Sequence, residues 1–138
     1  MKLEIYSPNS QQTCDIDALA EQYSGAINLG RRCEDVWNTI ALDDETADPF
    51  QCHLIGCVGG PWRLHHGQNR TNCPKGLKSD KLIPCNSCEG PCINGKPKYT
   101  NRMPQMPTLI NGKPVSDWGN YLNAGDEIRI GETVIRVE

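Results

Sequence analysis

Four cysteines, Cys73, Cys85, Cys88 and Cys92, follow one another as C-x11-C-x2-C-x3-C within a Lys- and Pro-rich stretch. A C-x2-C turn such as Cys85-Asn86-Ser87-Cys88 aims two sulfurs at one centre while neighbouring backbone N–H groups donate to them, and Zn2+ takes four such ligands in a tetrahedron. Cys92 follows after Glu89, Gly90 and Pro91, and Cys73 closes the set from the far side of an eleven-residue excursion. The pattern predicts one structural Zn2+ per chain. Four thiolates leave no open position for water or substrate, so the metal would hold a shape and catalyse nothing. Without it, ordering the stretch costs about 1–2 kcal/mol per residue with little apolar burial to offset it. Disulfides or reactive thiols are the other uses of these residues, and His65 and His66 are alternative ligands should one cysteine stand aside.

The same region is electropositive. Residues 60–104 carry eight Lys/Arg (Arg63, Arg70, Lys75, Lys78, Lys81, Lys96, Lys98, Arg102) against Asp80 and Glu89, a local +6, while the remainder carries -9. Polarity of this kind implies an anion-facing edge. Nucleic acid is disfavoured as the partner, because Tyr99 alone offers a stacking ring in residues 72–107 and a duplex binder spreads positive charge over a broader face.

The elements that must position these residues are short. At 138 residues the chain is one domain long, and its 23 Gly and Pro call for many turns. Apolar pieces at Lys2 to Tyr6, Ala26 to Leu29, Thr39 to Leu42, His53 to Val58, Trp62 to Leu64, Thr108 to Ile110, Ile128 to Ile130 and Val134 to Val137 read as strands, the first at a sheet edge. Asp15 to Tyr23 reads as a short helix, and Asn111-Gly112 as a two-residue hairpin turn. Seven of the ten prolines lie between Pro61 and Pro107. The expected architecture is all-β, a sandwich or barrel over residues 1–138, with a long irregular insertion at 72–107.

No run approaches the ~20 apolar residues that span a bilayer, and the N-terminal MKLEIYSPNSQQ lacks a secretory pattern. A cytoplasmic location with Cys14, Cys33, Cys52 and Cys57 reduced and at least half-buried is the expectation.

In order, Leu29-Gly30-Arg31, His53 opening a strand, Gly59-Gly60-Pro61-Trp62-Arg63-Leu64, Gly67-Gln68-Asn69-Arg70-Thr71, Leu109-Ile110-Asn111-Gly112 and Gly125-Asp126-Glu127-Ile128-Arg129-Ile130-Gly131 resemble the forkhead-associated (FHA) domain. The resemblance runs from about residue 26 to the C-terminus, interrupted by the cysteine-bearing insertion. It implies an eleven-stranded antiparallel β-sandwich, SMAD-like, whose loops at one end grip a phosphothreonine in a partner protein. The family's glycine-arginine pair falls on Gly30 and Arg31, so Arg31 would meet the phosphate through two parallel charge-assisted hydrogen bonds. The family's serine falls on Phe50, which has no donor, and the neighbouring position on Gln51, which has one. His53 matches a histidine that braces the loops from beneath. Asn69 would clamp the ligand main chain, Gln68 touch the peptide, and Arg70, where the family has glycine, either supply a second cation or point outward.

These readings make the chain a non-catalytic phosphothreonine-peptide recognition module with a zinc-held basic loop beside its site. The alternative is a protein-interaction scaffold that has lost phosphate binding. An enzyme is disfavoured: no Ser/Cys–His–acid order stands out, and no Gly-rich phosphate loop precedes a helix. Oligomeric state is not legible.

Overall fold

The computed structural model of the chain describes residues 1–23, 26–33, 38–68 and 104–138. β1 (Lys2–Ser7) and β2 (Ser10–Asp15) form a hairpin that turns at Pro8-Asn9. Alternation along β1 sends Leu3 and Ile5 into the core. β1 does not lie at an edge, as its sequence led us to expect; it pairs with β2 on one side and with β11 (Thr133–Val137) on the other. The edge belongs to β2, whose Ser10-Gln11-Gln12-Thr13-Cys14-Asp15 has no aliphatic residue to announce a strand.

Helix α1 (Ile16–Gln22) follows at once. Asp15 caps it, its carboxylate accepting from the amides of Asp17 (3.1 Å) and Ala18 (3.3 Å), and Ile16 anchors it in the core. Asp17 accepts from the Gly59 amide (3.0 Å) and the Trp62 indole (3.2 Å), which fixes the helix against the hairpin between β5 (Cys52–Gly56) and β6 (Trp62–His66).

Two sheets result. One runs β2-β1-β11-β10-β7-β8, with β10 at Glu127–Ile130, β7 at Thr108–Ile110 and β8 at Lys113–Pro114. The other runs β4-β3-β5-β6-β9, with β3 at Ile27–Arg31, β4 at Ile40–Leu42 and β9 at Asn120–Tyr121. Among the described residues every pairing is antiparallel except β3 with β4, which is parallel, so the sandwich is not purely antiparallel. The core lies between the sheets. Leu3, Ile5, Ile128, Ile130, Ile135 and Val137 face Ile27, Leu29, Leu42, Leu54, Trp62 and Leu64, each aliphatic side chain contributing about 1.5–3 kcal/mol by leaving water.

Asn111 (φ 51) and Gly112 (φ 81) make the tight turn between β7 and β8 that Asn-Gly predicts. The Asn111 carboxamide is also spent, donating to Asp126 and accepting from the Glu127 amide, both at 2.9 Å. It is a turn residue stitched to the next strand.

Candidate functional site at the Arg31 end

The C-terminal end of β3, the connection from Asp43 to Gln51 and the two residues after β6 meet at one end of the sandwich. The Arg31 amide donates to the Asp48 carbonyl (3.1 Å), the Gly67 amide to the Gln51 carbonyl (2.8 Å), and the Gln68 side chain to the Leu29 carbonyl (2.8 Å). Arg31 stands where β3 leaves the sheet, half-buried, its guanidinium donating to the Glu45 carbonyl in a long hydrogen bond (3.3 Å).

Arg31 lines a cavity of about 520 Å3 shared with Pro8, Asn9, Arg32, Asp43, Glu45 and Glu132 among others. With Asp44 also in the lining, four carboxylates stand around it against two guanidinium groups. Arg32 pairs with Asp43 at 2.8 Å on the exposed rim. Asp44 is buried and fully engaged. One oxygen accepts from the Thr46 amide (2.8 Å) and hydroxyl (2.5 Å), the other from the Thr133 hydroxyl (2.7 Å) and the Glu132 amide (3.0 Å). Burial alone would raise its pKa, but these hydrogen bonds outweigh it and hold the carboxyl below its ordinary value. Asp44 therefore ties the β4 end to the β10–β11 turn. Sequence reading passed over it, although Asp-x-Thr is the signature of a side-chain-capped turn.

Gln51 and Gln68, which the resemblance assigned to the peptide site, are both buried. Gln51 is 0% exposed; its amide nitrogen donates to the Met106 carbonyl (2.7 Å) and the Thr108 hydroxyl (2.9 Å), and its oxygen accepts from the Asp48 amide (3.1 Å). Gln68 is 5% exposed, and besides Leu29 it reaches the Asn38 side-chain oxygen at 2.7 Å and the Pro49 carbonyl at 3.5 Å. Loop carbonyls that no strand can satisfy need donors, and these carboxamides supply them. Phe50 is 3% exposed, outside the main apolar cluster, and its amide donates to the Asp48 carboxylate (2.9 Å).

His53 is the brace the resemblance implied. Its Nδ1 lies 2.6 Å from the Gly67 carbonyl, and its ring stacks on His65 with centroids 5.0 Å apart. Burial pushes the His53 pKa down, the Gly67 carbonyl opposing and the charge of His65 adding to the depression. His65 and His66, the alternative ligands for an unused cysteine, are not placed to share one centre. Successive strand residues face opposite ways, so His65 lies against His53 while the Nδ1 of His66 meets the Thr108 hydroxyl at 2.9 Å. Burial lowers both of their pKa values, helped by Arg63 at His65 and opposed by the Pro104 carbonyl and Asp48 at His66.

Cys52 is buried, with its thiol pushed up to about 12 by desolvation, and Cys14 and Cys33 are half-buried. Cys57 is exposed at the β5–β6 turn, against the expectation of a packed side chain. Asn69, Arg70, Cys73, Cys85, Cys88 and Cys92 lie outside the described residues. Among the described residues no group of three or more His, Cys, Asp or Glu is placed to hold a metal, and no helix is long and apolar enough to cross a membrane. Residues 67–68 and 106–108, which flank the undescribed 69–103, stand side by side, both bonded to Gln51.

No family model matches the chain, and no curated protein matches it. Solved structures do. The FhaA FHA domain, in complex with the intracellular domain of Rv3910, is similar at 18% identity and a TM-score of 0.55, over 99% of this chain and 98% of that one. An FHA domain from a structural and functional analysis of phosphothreonine-dependent FHA domain interactions gives 17% and 0.53, over 98% and 91%. The Rv0020c FHA domain gives 17% and 0.51, over 98% and 87%. At such identities the likeness is one of fold: the chain has the β-sandwich fold of FHA domains.

Proposed function

We propose that the chain is a non-catalytic recognition module for phosphothreonine-bearing protein segments. The observation that carries this is the placement of Arg31, at the mouth of an FHA-type sandwich where the loops after β3, β4 and β6 converge. A similar domain studied for phosphothreonine-dependent interactions supports the reading. A phosphoryl group of about -1.5 to -2 charge at the Arg31 guanidinium gains charge-assisted hydrogen bonds that the long contact to Glu45 does not provide. In this reading Asn69 orders the partner's main chain and Arg70 adds a second cation. Gln51 and Gln68 act from beneath as braces. Cys73, Cys85, Cys88 and Cys92 bind one Zn2+ that holds the basic loop beside the mouth, in a cytoplasmic, reducing setting.

A second reading is a phosphate-independent scaffold. It is favoured by the acidic lining around Arg31, which lowers the affinity of this end for an anion, and by the buried Phe50, which offers no hydrogen-bond donor. A phosphothreonine-peptide array separates the two. The first expects retention that needs the phosphate and disappears in Arg31→Ala; retention indifferent to both supports the scaffold. Metal analysis after purification without added zinc is expected to find about one Zn2+ per chain. A value near zero removes the zinc loop from either reading.

A further inference from the structure

Arg31 is presented by a clasp of two buried carboxamides, Gln68 from the loop after β6 and Asn38, which lies in none of the motifs that carry the FHA resemblance. Asn38 and Gln68 are 6% and 5% exposed. The Gln68 amide nitrogen donates to the Asn38 side-chain oxygen (2.7 Å) and the Leu29 carbonyl (2.8 Å), and the Asn38 amide nitrogen donates to the Pro49 carbonyl (2.9 Å). That carbonyl presses on Gly30, where a Cβ would lie 2.1 Å from it and 2.8 Å from the Asn38 amide nitrogen. One residue further, the Arg31 amide is received by the Asp48 carbonyl at 3.1 Å. Two side chains thereby join the lead-in to β4, the β4–β5 connection and the segment after β6 around the Gly30-Arg31 peptide.

We infer that the Asn38–Gln68 pair positions Arg31 for ligand recognition, an inference that rests on the phosphothreonine reading for its ligand but not for its mechanics. Loops meeting at a binding mouth lose conformational freedom when a ligand orders them, and a buried, fully satisfied network removes that cost beforehand. Neither residue touches the ligand. Both fix the spacing between Arg31 and the Gly67-Gln68 segment, and Gly30 is what lets the Pro49 carbonyl approach closely enough for Asn38 to hold it.

The test compares amide hydrogen exchange and phosphothreonine-peptide affinity in the wild-type chain, Gln68→Met and Asn38→Asp. Gln68→Met keeps the side-chain length and loses every donor; Asn38→Asp keeps the oxygen that Gln68 uses and loses the donor to Pro49. In both, the Arg31 amide is expected to exchange about tenfold faster while the amides of β11 keep their rates. Affinity is expected to fall about tenfold, and the double variant to lose no more than the weaker-binding single one. Unchanged Arg31 exchange in both variants overturns the clasp, as does equal acceleration at Arg31 and β11, which would mark general loss of stability. Faster exchange with affinity intact overturns the positioning role. Should the wild-type chain retain no phosphothreonine peptide, the recognition reading fails, and the exchange rates still decide whether the clasp holds Arg31.

Discussion

The Pro49 carbonyl oxygen occupies the place a side chain on residue 30 would need: a Cβ there would lie 2.1 Å from it. No φ in the left-handed region is involved, so the demand for glycine comes from contact alone. The glycine of the Gly30-Arg31 pair serves the Arg31 loop by standing out of its way.

Gly30→Ala should therefore lower stability by about 1–3 kcal/mol, the usual cost of forcing atoms into a filled site. Urea denaturation measures it. An unchanged midpoint would show that the connection at Pro49 yields freely, contrary to the packing described.

Phe50→Ser restores the hydroxyl found at this position in the family, yet it should not improve phosphopeptide binding. The side chain at residue 50 is 3% exposed, so a serine there leaves a void and, enclosed in the same place, gains no ligand contact. Loss of about 3 kcal/mol is expected, near the lower end for removing a buried ring. A variant that binds phosphothreonine peptides more tightly than the parent would mean that residue 50 can turn to the mouth.

Acid should weaken the fold in two stages. His53, His65 and His66 have folded pKa values below the ordinary 6.5, so the unfolded chain binds protons first. The stability they contribute is complete above about 6.5 and is lost as pH falls towards their folded values. Asp44 is also depressed, so its contribution persists until pH drops below about 4 and vanishes on passing its folded value. Melting temperature against pH should show the first decline softened in His53→Gln and the second flattened in Asp44→Asn. Asp44→Asn should also cost about 1.5–3 kcal/mol near neutrality, since it weakens hydrogen bonds to a charged acceptor. Identical pH profiles for variants and parent would refute the assignment.

Thiol chemistry should follow burial. Cys57, exposed at its turn, should be alkylated early in the native protein, and Cys52, enclosed and shifted to about 12, only after denaturation. Peptide mapping after timed iodoacetamide treatment resolves the two. Native-state labelling of Cys52 at the rate of Cys57 would mean that the sheet opens locally around β5.

Strand order was largely legible because its signals are local. Alternation at Leu3 and Ile5 or Ile128 and Ile130 reports one buried face, Asn111-Gly112 reports its turn, and Asp15 ahead of Ile16 reports a helix start. β2 escaped because an edge strand with one face in solvent needs no aliphatic residue. The position of β1 escaped with it.

Residue types and spacing by themselves determined the rhythm of short strands and turns, and the resemblance they carry pointed to the Gly30-Arg31 pair and the histidine beneath the loops. Only the tertiary structure decided that Gln51 and Gln68 are interior braces, that Asp44 is a junction, and that carboxylates crowd the Arg31 cavity. A glutamine looks the same in sequence whether its amide meets a ligand or the carbonyl of Leu29, 39 residues away. Hydrogen-bond partners so distant along the chain are fixed by how the sheets close on one another, and no local pattern encodes that.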